Sequence, residues 1–187
     1  MLFNLKETSF LKSLRPLAEL TAVEKCSELG RNVIANEIIP AGTLIGIYPG
    51  AKLSLNDYYD KHELLNQAIK YGYRLSEDTI IDPTDIFGYL EDRPENRIAL
   101  INEATPTKRS NILPLASKNN IWYLVFRKVQ KGEPLFSFYG TTYTRDYECS
   151  NEESKTGVQL SLEEKELLKN VSDKYCWLEN EISELLS

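Results

Sequence analysis

The chain has 187 residues, 42% of them hydrophobic and 27% charged, with a formal net charge of −6; this is the profile of an ordinary soluble globular protein long enough to bury one real core. A single histidine, His62, excludes His-based triads and most His-ligated metals, while Cys26, Cys149 and Cys176, widely spaced and without a CxxC, indicate neither a disulfide framework nor a zinc site. No apolar run reaches membrane-spanning length and no signal-peptide pattern opens the chain, so the sequence reads as intracellular and soluble, in cytoplasm or nucleus. The charge is uneven. Residues 146–187 hold eleven Asp and Glu against four Lys and Arg, a net of −7, which leaves +1 elsewhere; direct nucleic-acid binding is therefore not expected.

In chain order, Phe10, Leu11, Leu14, Leu17 and Leu20 form a short amphipathic segment interrupted by Pro16 that packs onto the domain. Two short strands are expected at 22–25 and 32–35 around the turn Ser27-Glu28-Leu29-Gly30, and a third at 43–48, between Pro40-Ala41-Gly42 and Pro49-Gly50. Residues 55–70 have a helical pattern. Tyr73-Arg74-Leu75 and 79–82 return to strand, and an apolar run, 98–101, ends on Asn102. The strongest strand signal is Ile121-Trp122-Tyr123-Leu124-Val125-Phe126. Many short strands and no βαβ alternation argue for a mainly β domain and against a Rossmann fold.

The stretch 132–143 carries the most chemistry. A turn through Gly132 and Pro134 delivers a short, largely buried strand, 135–139, that ends on Tyr139 just before Gly140; this places a phenol where apolar core meets open space. By itself such a tyrosine is as well read as a strand cap. Beyond it, Ser161-Leu162-Glu163-Glu164 has the form of a capping box and starts a helix. Leu168, Val171, Tyr175, Leu178, Ile182 and Leu185 then make a heptad-like seam, either docked on its own domain or serving a homodimer or partner contact.

Over about residues 22–145, four motifs in order resemble the SET domain, the family of S-adenosylmethionine-dependent protein lysine methyltransferases. ELGRNVIANEIIPAGTLIGIYPG is similar to the family's opening turn, Ala-Gly-x-x-Ile strand and Tyr-x-Gly; LSEDTIIDPT to its central strand ending in Asp; NRIALINEATPTKRSN to its Asn-His segment; and KGEPLFSFYGTTY to its closing Tyr-Gly segment. The resemblance implies a β-clip-like fold of short sheets with a pseudoknot, plus a C-terminal α-helix. It implies three parts: an N-terminal segment 1–21, a SET domain 22–145, and an acidic linker and helix 146–187.

The same resemblance implies a site. Gly30, Arg31, Asn32, Asn102 and Glu103 would hold S-adenosylmethionine, whose product is S-adenosylhomocysteine, with Tyr73 also in contact. Tyr139 and Tyr48 would be catalytic, and Tyr48, Ser137 and Tyr143 would line the lysine channel; no metal is implied. The substrate would be a lysine-containing protein, such as a histone or another lysine-rich protein. Methyl transfer from a sulfonium needs alignment of a neutral amine and exclusion of water, which aromatic walls provide. Ring faces can also receive the cationic lysine, and phenol oxygens can orient the amine.

This sequence departs from the family pattern at several positions. Asn32 replaces a glycine, Glu103 the usual histidine, and Ala99 the usual arginine; Ser137 stands where many members carry Phe or Tyr, a space another tyrosine could refill. The rival reading is a SET-fold module that has lost catalysis and binds a peptide or protein. A third reading, a methyltransferase for another acceptor, uses the same cofactor residues.

Overall fold

A computed structural model describes residues 2–26, 30–65, 71–91, 93–104, 108–140 and 157–187. Helix α1 (Leu2–Ser13) ends before Pro16, whose ψ of 130° turns the chain out of helical geometry before the single turn α2 (Leu17–Leu20). Strands β1 (Thr21–Cys26) and β2 (Gly30–Ala35) form an antiparallel hairpin, its register running from Thr21 opposite Ala35 to Cys26 opposite Gly30. Then come β3 (Thr43–Ile47), β4 (Ala51–Ser54) and helix α3 (Leu55–Leu64), whose N-cap Ser54 accepts from the Asp57 N–H. A three-stranded antiparallel sheet joins β4 to β6 (Thr79–Asp82) and β6 to β5 (Tyr73–Arg74). Gly50 is required where this sheet meets the domain, because a Cβ there would lie 2.3 Å from the Asp82 carbonyl oxygen.

The central sheet has five strands in the order β3-β9-β8-β10-β7, with β7 Asn102–Glu103, β8 Ile112–Ala116, β9 Ile121–Val125 and β10 Phe136–Ser137. β10 runs parallel to both β7 and β8, so it lies between two strands that precede it in sequence. Asn111 fixes it there. Its N–H donates to the Phe136 carbonyl, its side-chain amide to the Pro134 carbonyl at 2.9 Å, and its Oδ1 accepts from the Phe136 N–H at 2.9 Å.

Strand β9 is buried on both faces. Ile121, Tyr123 and Val125 join one core with Val33, Ile45, Ile81 and Leu135, whereas Trp122, Leu124 and Phe126 join a second with Leu113, Leu168 and Leu178. The second core is closed by α4 (Leu162–Lys174), a 3₁₀ turn (Cys176–Leu178) and α5 (Glu179–Leu186), with α1 beside them. The capping box of α4 is formed, and Arg127 Nε donates to the second oxygen of the same Glu164 carboxylate at 2.6 Å. One side chain thus caps the helix and moors it to the domain.

Several sequence expectations are corrected. The strand expected over 135–139 is only Phe136–Ser137; beyond it the backbone leaves the ladder. The helix of the tail is broken at Tyr175, whose φ of −123° and ψ of 75° interrupt the seam. The apolar run 98–101 lies mostly in a 3₁₀ helix, Pro94–Leu100. β4 and β8 were not anticipated, and helix α3 is described only to Leu64. Leu168, Val171, Tyr175, Leu178 and Ile182 are buried in the chain's own second core, while Leu185 is exposed.

Candidate active site

Burial and pairing gather four tyrosines at the first core. The Tyr48 ring lies 5.2 Å from Tyr73 and 6.0 Å from Tyr123, centroid to centroid, and stacks on the latter. The Tyr48 hydroxyl donates to the Tyr71 carbonyl, and the Tyr139 hydroxyl to the Ile101 carbonyl at 2.8 Å. Burial pushes the Tyr48 phenol well above its ordinary value, with the neighbouring Tyr139 and Tyr73 adding to the effect. Tyr73 is raised by burial and then by the nearby Glu181 carboxylate. Tyr123 is likewise raised well above its ordinary value by burial, against an opposing hydrogen bond with Ser137. Tyr48, Tyr73 and Tyr123 are therefore neutral phenols.

A polar cradle lies on the other side of Ile101. The Asn102 side-chain amide donates to the Arg31 carbonyl and, at 2.8 Å, to Asn32 Oδ1. Asn102 so ties β7 to β2. Glu103, next along β7, is buried and pairs in register with Ser137 of β10. β10 therefore has the cradle on one side and leads straight to Tyr139 on the other. Gly30 has a φ of 75°, and among the described residues nothing lies within 4 Å of where a Cβ would stand.

Of the residues expected from sequence, Arg31, Asn32 and Asn102 come together directly, and Glu103 and Ser137 join them through the ladder. Tyr48, Tyr73 and Tyr139 form the aromatic cluster, and Gly30 opens the strand of the cradle. Tyr143 lies outside the described residues. Sequence reasoning missed Tyr123, although its parity with Ile121 and Val125 in β9 and its polar tip in an otherwise apolar strand could have marked it. It also missed the Tyr71 carbonyl, which no sequence pattern reveals. Arg97 reaches the N-terminal segment, donating to the Ala18 carbonyl at 3.0 Å and to that of Thr21, two residues before the position where the family usually has arginine.

Among the described residues, no group of three or more His, Cys, Asp or Glu is placed to hold a metal ion, and no helix is long and apolar enough to cross a membrane.

Short sheets with a strand inserted between two earlier ones, a polar cradle on one side and phenols on the other, define the class. The family model of the SET domain matches residues 30–140, more than half of the chain, and the chain belongs to this family. Among solved structures it is similar to a chain of an apo ctPRC2 complex with a doubly mutated Ezh2, at 23% identity and a TM-score of 0.51 over 67% of this chain. It spans only 15% of that chain, so the likeness is one of fold. No curated protein matches it by sequence. SET domains are in general protein lysine methyltransferases.

Proposed function

We propose that the chain transfers methyl groups from S-adenosylmethionine to lysine side chains of a protein substrate. The observation that carries this reading is the state of the two central phenols: Tyr48 and Tyr139 each commit their proton to a backbone carbonyl, Tyr71 and Ile101. Toward a ligand, each oxygen therefore acts as an acceptor. Burial opposes a phenolate at Tyr48, so this hydroxyl orients an amine and does not serve as its base at neutral pH.

The cradle suits the cofactor. Its amino-acid end is polar, and Asn102 links the backbone of Arg31 to β7, where Glu103 would contribute mainly backbone groups. Gly30, Arg31, Asn32, Asn102 and Glu103 would hold the cofactor, with Tyr73 beside it. When bound, S-adenosylmethionine supplies an electrophilic methyl group for in-line displacement and leaves as S-adenosylhomocysteine. The chain's own residues do the rest. Tyr48, Tyr73 and Tyr123 wall off water, and their ring faces receive the lysine cation before it deprotonates. Tyr48 and Tyr139 accept the amine N–H groups and fix the direction of the nitrogen lone pair.

Calorimetric titration with S-adenosylmethionine tests the reading. Roughly micromolar binding to wild type that Asn102→Ala abolishes is expected. Absence of binding at about millimolar donor would instead favour the module that binds a peptide or protein without catalysis. Burial of Glu103 where the family has histidine is the observation on that side.

A further inference from the structure

We propose that Tyr58 is a positioning residue for this reaction, acting on Tyr48 through the one peptide unit that joins Tyr71 to Gly72. The inference rests on the methyltransferase reading and adds to it a residue on α3, outside the four motifs of the family.

Two hydroxyls hold opposite ends of that amide. The carbonyl of Tyr71 accepts from Tyr48, and the N–H of Gly72 donates to the Tyr58 oxygen at 3.1 Å. Because a peptide unit is planar, fixing its N–H fixes the direction in which its carbonyl points. An amide whose N–H is engaged also presents a more strongly polarised carbonyl oxygen, so the two bonds reinforce each other. Tyr58 thus governs both the place and the strength of the acceptor that orients the Tyr48 phenol.

The support behind Tyr58 is built for this. Its side chain is only 1% exposed, and its ring meets the edge of His62 at 4.4 Å. Lys61, on the same inner face of α3, reaches Asp82 at 2.8 Å and the Thr84 hydroxyl at 2.8 Å, which locks the helix to the end of β6. This contact demands glycine at 72. A Cβ there would stand 2.3 Å from the Tyr58 oxygen and 2.4 Å from the ring carbon that bears it. The phenol and the backbone of Gly72 are pressed together.

The test uses the full chain labelled with 13C on its tyrosine rings, with the Tyr48 signals assigned from Tyr48→Phe. Tyr58→Phe removes one hydroxyl and keeps the ring; Gly72→Ala keeps the hydroxyl and forces it away. Both are expected to move the Tyr48 ring resonances. With S-adenosylmethionine and a lysine-containing protein substrate, both are expected to lower kcat about 10- to 100-fold while donor Kd and substrate KM stay within about twofold. Such a split would not follow from general loosening, which raises KM and weakens the donor as well. Unmoved Tyr48 resonances in either folded variant, or an unchanged kcat, would overturn the proposal. If wild type transfers no methyl group, the methyltransferase reading fails, and the resonances decide by themselves whether Tyr58 governs Tyr48.

Discussion

The two faces of β9 make a controlled comparison, because one strand supplies both. On one face Tyr123 lies between Ile121 and Val125 and stacks on Tyr48. On the other, Trp122, Leu124 and Phe126 pack against α4, α5 and α1. The second face is nearly all hydrocarbon. A buried charge there is Glu7, whose Oε1 accepts from the Trp122 indole, the Ser117 hydroxyl and the Asn120 amide, three bonds that offset the cost of burying the carboxylate. The first face instead holds phenols whose oxygens could be engaged by a ligand. Side chains alternate across a strand, so stability and chemistry can be divided between them residue by residue.

Breaking one face should leave the other recognisable. The largest effect is expected from Leu168→Ala, which empties a fully buried position of the second core and should cost about 2–5 kcal/mol in a denaturant titration. Cofactor affinity of the fraction that remains folded should be unchanged. On the other face, Tyr139→Phe removes the hydroxyl that donates to the Ile101 carbonyl. A fall of roughly 100-fold in methyl transfer is expected, about 2.7 kcal/mol, with little change in melting temperature or donor binding. The smallest effect concerns acid. Burial by itself raises the Glu164 carboxyl, but bonds from Arg127 and the Ser161 N–H outweigh it and hold the group below the usual glutamate range. A lowered folded value means that the contribution is complete above the ordinary carboxylate range and disappears as pH falls through the lowered one. Wild type should therefore lose stability relative to Glu164→Gln below about pH 4, by less than about 1 kcal/mol, in melting curves taken across that window.

The division between the faces also explains what could be read from sequence. The capping box at Ser161, the hairpin of β1 and β2 and the burial of β9 depend on neighbours in the chain, and local pattern revealed them. Asn102 and Tyr139 end apolar runs, which by itself fits a turn-former and a strand cap; only the family resemblance marked them as site residues. β8 was hidden because Pro114 breaks its strand pattern, although Leu113 and Leu115 flank the proline as the alternation requires. The break at Tyr175 was hidden because the apolar spacing runs on across it. Tyr58 and the Tyr71 carbonyl have no local signature at all. Their relation to Tyr48 arises from a contact between α3 and a segment that follows it, and only three-dimensional geometry displays it.

The position of β10 has a consequence for how the molecule comes into being. The strand lies between β7 and β8 yet is made after both, so a chain emerging from the ribosome must keep those two strands apart until residues 136–137 arrive to fill the gap. Tyr139 follows directly behind. The aromatic cluster therefore gains Tyr139 only after β7 and β8 have both been made, and shorter intermediates carry Asn102 and Glu103 without it.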